Sequence, residues 1–132
     1  MHIVELSTRT RSEFVDITRQ VMDVVAKSDI KSGVAVICSA HTTAGVTINE
    51  NADPDVVADM GAMLDQIVPR HHEYQHGEGN SDAHIKASLV GLSVMVPIED
   101  RRLVLGTWQG IYFCEFDGPR RRKVVVQLLP GG

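Results

Sequence analysis

From residue 91 onward the chain breaks into four short runs rich in branched and aromatic residues: 92–98, 103–105, 111–116 and 123–129. Asp100, Gly106, Gly110 and the turn Asp117-Gly118-Pro119 separate them. Such runs at hairpin spacing predict antiparallel strands, because a parallel pair needs a crossover of about a dozen residues or more. The expected fold is therefore α+β, an antiparallel β-sandwich-like core carrying two or three helices. A length of 132 residues suits one domain spanning 1–132.

The first half supplies the remaining elements. Residues 2–7 alternate, with Ile3 and Glu5 opposite Val4 and Leu6, and predict a strand. A helix is expected with Thr18 as N-cap and Val21, Met22 and Val25 as its apolar stripe. Residues 33–40 read as a buried strand delivering His41-Thr42-Thr43 at its end, and 46–50 as another short strand. The clearest helix starts at Asp53-Pro54-Asp55, a cap, a first-turn proline and a dipole-complementing acid. Val56, Val57, Met60, Met63, Leu64, Ile67 and Val68 recur at three- and four-residue spacing until Pro69 ends it. The glycine-punctuated stretch 70–80 predicts a loop, after which Ser81 caps a short helical segment carrying His84, Ile85 and Leu89.

No apolar run reaches the ~20 residues that cross a bilayer, and the N-terminus has no signal-like apolar segment. Neither membrane nor secretion is expected. Cys38 and Cys114, each inside an apolar run, read as buried free thiols, which makes the cytoplasm the expected compartment. A net charge of −4 argues against general nucleic-acid binding. The basic residues are nonetheless concentrated at Arg120-Arg121-Arg122-Lys123 and Arg101-Arg102. Each group fits either a solvated strand end or a phosphate contact, for which the arginine fork is well shaped.

His72-Glu73-Tyr74-Gln75-His76 matches the H-E-x-x-H pattern of zinc proteases. That chemistry needs a helix to put both histidines on one face. Only six residues separate Pro69 from His76, and Gly77 follows, so no stable helix is expected there. His41, His76 and His84 make a different grouping with no standard ligand spacing. Thr42, Thr43, Asn49, Glu50, Asn80, Trp108 and Gln109 accompany them at strand ends and tight loops, where sites are built on rigid scaffolds. Trp108, between Gly106 and Gly110, reads equally as a lid over the core or as a ligand contact.

Three segments carry a resemblance: His41-Thr-Thr-Ala-Gly-Val-Thr-Ile-Asn-Glu50, Glu78-Gly-Asn-Ser-Asp-Ala-His-Ile-Lys86, and Leu103-Val-Leu-Gly-Thr-Trp-Gln-Gly-Ile-Tyr-Phe-Cys-Glu-Phe-Asp-Gly-Pro-Arg120. In this order they resemble the YjbQ family, also termed secondary thiamine-phosphate synthases, over essentially the whole chain. The resemblance implies a jelly-roll-related β-sandwich and a homotrimer. It further implies that His41, His76 and His84 gather around a metal or an anion. The implied reaction joins hydroxymethylpyrimidine pyrophosphate to thiazole phosphate and releases pyrophosphate. The chain departs from the family at Arg101, where glycine is usual, and at Ala40, where proline is frequent. Arginine resists positive φ, so the turn at Arg101 is expected to differ.

Roles follow from residue type and motif membership. A divalent metal on His41, His76 and His84 would be zinc more readily than magnesium, since imidazole suits transition metals. With no metal, the same histidines would hold phosphate directly. Glu50 is the expected base, acting with His41 and Asn80. Thr42, Thr43, Asn49, Gln109 and Arg120 are expected to bind substrate, with Trp108 stacking on a ring. The rival expectation is a non-catalytic trimer that binds a metal or a small phosphorylated molecule.

Overall fold

The computed structural model describes residues 1–131 and contains three helices and eight strands in two antiparallel sheets. The strands are β1 (His2–Ser7), β2 (Glu13–Asp16), β3 (Gly33–Ser39), β4 (Ala44–Glu50), β5 (Ser93–Glu99), β6 (Arg102–Leu103), β7 (Gln109–Glu115) and β8 (Arg121–Pro130). The helices are α1 (Thr18–Ala26), α2 (Pro54–Ile67) and α3 (Ser81–Val90). The larger sheet runs β1-β8-β3-β5-β6 and the smaller β2-β7-β4. The fold is α+β, with a β-sandwich at its centre.

Alternation in the strands sorts the core. Ala35 and Ile37 of β3, Val96 and Ile98 of β5, and Val124 and Val126 of β8 face inward from the larger sheet. Ile111 and Phe113 of β7 meet them from the smaller one, and Ile17, Val21 and Val25 close the end through α1. The opposite face of β7 carries Tyr112 and Cys114, which pack with Phe116, Ala83 and Ala87 beneath α3, and with Val57 and Leu64 of α2. The smaller sheet is thus covered on both sides, whereas no element among the described residues covers the outer face of the larger sheet. No helix among the described residues is long and apolar enough to cross a membrane.

Several local expectations need correction. β2 was missed because its four residues are too few to show a period and two of them are acidic. Ile17, not Thr18, takes the N-cap position of α1, since its side chain is fully buried in the core. Capping falls instead to Asp16, whose Oδ1 accepts from the backbone N and hydroxyl of Thr18 at 2.9 and 2.6 Å. Asn80, not Ser81, is the N-cap position of α3, and the helix is ten residues long. Asp53 does cap α2, accepting from Asp55 N at 2.9 Å. The long stripe of α2 is only half used: Met63 and Ile67 are exposed and no residue of the helix is fully buried. Cys114 is buried but Cys38 is only partly so, and both are free.

The turn at Arg101 is the one place where the chain resists its own sequence. Asp100 and Arg101 take φ of 52° and 63°, the two left-handed residues that a tight β5–β6 hairpin requires. Arginine therefore adopts the conformation that glycine would adopt more easily. Its guanidinium NH2 donates to Ser28 O at 2.7 Å and Ala26 O at 3.4 Å, placing a cation on the carbonyls that end α1. This contact offsets part of the strain.

Candidate functional site

One end of the sandwich gathers chain ends from both sheets. β3 leaves the larger sheet at Ser39, residues 41–43 cross over, and β4 enters the smaller sheet at Ala44 opposite Glu115. β7 ends there, β8 begins there, and α3 begins beside them. A cavity of about 360 Å³ results, lined among others by His41, Thr42, Thr43, Asn80, His84 and Arg120. Six of the residues expected from the sequence meet in it.

Beneath the cavity lies a buried ionic framework. Glu115 is fully buried and Arg122 is 4% exposed, and they form a two-pronged pair. Thr8 donates its hydroxyl to Glu115 Oε1 at 2.7 Å, and the backbone N–H groups of Phe116 and Asp117 donate to Oε2 at 3.1 Å. Burial alone would raise the Glu115 carboxyl. The hydrogen bonds from Arg122, Thr8 and the Asp117 backbone outweigh it, and the group is held below its usual range. Arg122 NH2 also donates to Thr43 Oγ1 at 2.9 Å, which leaves the Thr43 proton free to donate.

Asp117 organises the rim. Its Oδ2 accepts from Asn80 Nδ2 at 2.8 Å and Arg120 NH2 at 3.0 Å, and its carbonyl accepts from Arg120 Nε at 2.8 Å. Arg11 reaches both Asp117 Oδ1, at 3.4 Å, and the buried Asp82, at 3.0 Å. Burial again works to raise the Asp117 carboxyl. The bonds from Asn80 and Arg120, with the charges of Arg120 and Arg11, pull it below the usual value. The ionised carboxylate fixes the Asn80 amide with nitrogen toward Asp117, leaving Asn80 Oδ1 buried without a donor among the described residues.

His41 is fixed by a different partner. Its Nε2 accepts the backbone N–H of Lys123 at 2.9 Å, and the His41 backbone N–H donates to Ser39 Oγ at 3.2 Å. Burial lowers the imidazole pKa, and the neighbouring Arg122 charge lowers it further. With Nε2 holding an acceptor role, the proton of the neutral ring sits on Nδ1, so His41 offers a donor. His84 lines the same cavity, and its ring lies 5.6 Å from that of His76 and nearly perpendicular to it. His76 Nε2 is 3.6 Å from Glu78 Oε2.

Other expected residues lie elsewhere in the chain. Asn49 and Glu50 pair with Gly110 and Gln109 at the far end of β4, six residues from Ala44. At about 3.3 Å per residue that places them roughly 20 Å from the cavity. Trp108 is 63% exposed beside them, so it is no lid over the core. Gln109 lines a larger, more apolar cavity of about 570 Å³ between α1 and β6, remote from the histidines. Among the described residues, no three histidine, cysteine or carboxylate groups come together as a metal cage. The lone pair of His41 Nε2 is already engaged by the Lys123 backbone N–H. The protease pattern at 72–76 lies in a non-helical loop.

Arg11, Asp82, Lys86, Glu115 and Asp117 have no place in the sequence reading of the site, whereas Arg122 lies in the basic group read as either a solvated strand end or a phosphate contact. Lys86 is 3% exposed and donates to Asp65 at 2.6 Å, tying α3 to α2. The signal was the density of charges inside otherwise apolar or motif segments, since a charge among core residues needs a partner.

Residues 2–131 match the family model described as UPF0047 protein YjbQ-like. A UPF0047 protein of Methanocaldococcus jannaschii is 51% identical over 125 residues, covering 95% of this chain and 91% of that protein. The UPF0047 protein YugU of Bacillus subtilis is 52% identical over 127 residues, covering 96% of each. A crystal structure of a YjbQ/UPF0047 family protein from Clostridium acetobutylicum superimposes with a TM-score of 0.96 at 53% identity, covering 98% and 100%. A YbjQ-like protein of unknown function from Sulfolobus solfataricus gives 0.95 at 34% identity, covering 98% and 96%. With a match along nearly its whole length and relatives of this closeness, the chain belongs to the YjbQ family.

Proposed function

We propose that the cavity at His41 and Arg120 binds the phosphate of a small phosphorylated molecule directly, without a metal. The observation that carries this is the convergence of His41, Thr42, Thr43, Arg120 and Arg122 on one cavity, whose Asp117 carboxylate is already paired with Arg120 and Asn80. Each carries a hydrogen-bond donor, and bonds to Lys123, Arg122 and Asp117 hold His41, Thr43 and Arg120 in place. A zinc ion on His41, His76 and His84 fits less well, because His41 directs its lone pair at Lys123.

The transfer reaction implied by the family resemblance suits such a site. The methylene–oxygen bond of hydroxymethylpyrimidine pyrophosphate breaks as pyrophosphate leaves, and the thiazole nitrogen lone pair forms the new methylene–nitrogen bond. The thiazole becomes a thiazolium, and no proton has to be removed. Catalysis then needs charge stabilisation on the departing pyrophosphate more than a base. His41, Arg120 and Arg122 are the residues this reading assigns to that task, with Asn80 and Thr43 orienting the phosphate.

Glu50, Asn49, Trp108 and Gln109 would join the site from a neighbouring subunit of a homotrimer. Support for self-association comes from the outer face of the larger sheet, where Val34, Val36 and Cys38 are partly exposed and Met95 is 71% exposed. The free cysteines fit a cytoplasmic setting. The test is turnover of the two purified substrates with and without chelator. The transfer reading expects chelator-resistant activity that falls sharply in His41→Ala and Arg120→Ala, and activity unchanged in both variants contradicts it. The second reading, a non-catalytic binder, draws on the distance of Glu50 from His41. It expects phosphate binding with no turnover.

A further inference from the structure

His84 lines both the phosphate cavity and a second cavity of about 420 Å³ formed with Tyr74, Gln75, His76, Ser81 and Ile85. The character of the two differs. The first is ringed by arginines and carboxylates, whereas no lysine, arginine or carboxylate lines the second. Its lining instead combines three ring-bearing residues, Tyr74, His76 and His84, with Ile85, which is 40% exposed, and the neutral Gln75 and Ser81.

The walls are held in place before any ligand arrives. The Tyr74 hydroxyl donates to Pro69 O at the end of α2, and its backbone N–H donates to His72 O at 2.8 Å. The His72 ring meets the Tyr74 ring edge-on at 5.4 Å, and the His76 ring stands perpendicular to that of His84. His84 is carried by α3 itself. A neutral cleft with ring walls, opening from the same histidine as an anion site, fits a flat apolar body joined to a phosphate.

We propose that this cleft is the subsite for the organic part of the ligand. The ligand class is then a phosphate monoester with an aromatic or flat heterocyclic body, its phosphate among His41 and Arg120 and its ring against Tyr74 and Ile85. The assignment rests on the phosphate reading above. It moves the ring contact away from Trp108, which lies at the other end of β7.

Calorimetric titration with inorganic phosphate and with phenyl phosphate separates the two. Phenyl phosphate is expected to bind wild type roughly tenfold tighter than inorganic phosphate, the gain from burying a ring. Tyr74→Ala and Ile85→Ser, each made separately, are expected to shrink that advantage to about twofold with inorganic phosphate affinity unchanged. Equal affinity of wild type for the two anions overturns the subsite, as does an advantage that survives both substitutions. If wild type binds neither anion, the phosphate reading falls as well, and the subsite with it.

Discussion

The Nε2 of His41 accepts the backbone N–H of Lys123 at 2.9 Å, so the residue leaving β3 is fastened to the strand alongside it. The bond consumes the Nε2 lone pair and leaves the proton of the neutral ring on Nδ1. It also makes the neutral ring part of the folded state.

That last point has a pH signature. Burial, then the Arg122 charge, lowers the His41 pKa below its usual 6.5, so between the folded value and 6.5 the unfolded chain binds more protons. Stability from this group is full above pH 6.5 and declines as pH falls through that window. His41→Gln does not titrate there. Urea midpoints at pH 7 and pH 5.5 should fall more in wild type than in the variant. An equal fall in both would show that His41 is not held neutral.

The Glu115–Arg122 pair should behave as a buried ion pair with no spare partner. Glu115→Gln strands a guanidinium that is 4% exposed, and a loss of about 3–5 kcal/mol is expected in chemical denaturation. Adding Arg122→Met should recover part of the loss, because the stranded charge disappears. Further destabilisation in the double variant would contradict this account of the pair.

Arg101 sets left-handed strain against a helix-capping contact. Arg101→Ala keeps the strain and loses the cap, whereas Arg101→Gly loses the cap and the strain together. The glycine variant should therefore be more stable than the alanine variant by about 1 kcal/mol. Thermal melts of the two variants check it, and equal stabilities would mean the strain is small.

Much of the fold is legible in the sequence, for identifiable reasons. β1, β3, β4 and α2 carry unbroken periodicity or a proline-marked start, and their positions follow within a residue or two. β2 and the true cap of α1 do not, since both depend on the core demanding Ile17 and on β7 offering an edge. The site divides similarly. His41, Thr43, Asn80, His84 and Arg120 share one cavity, while Glu50 and Trp108 belong to the far end of the β4–β7 pair. A linear motif of ten residues running along a strand necessarily ends far from where it began. The supporting charges Glu115 and Asp117 are not legible because alternation marks which face a strand residue takes and not its partner, and Thr8 and Arg11 reach them across 107 and 106 residues of chain.

The outer face of the larger sheet supplies a test of self-association. Val36 lies on its central strand, between Gln127 of β8 and Met95 of β5. Light scattering should give a trimer for wild type and a single chain for Val36→Arg, with circular dichroism unchanged. A trimer that persists in the variant would place the subunit contact elsewhere.

The central claim is that the His41–Arg120 cavity is a metal-independent phosphate site, and calorimetric titration of inorganic phosphate in the presence of chelator tests it most directly. Wild type should bind, and Arg120→Ala should bind at least about tenfold more weakly, as expected for loss of a charge-assisted hydrogen bond. Binding that vanishes on chelation, or an Arg120→Ala affinity equal to wild type, would contradict it.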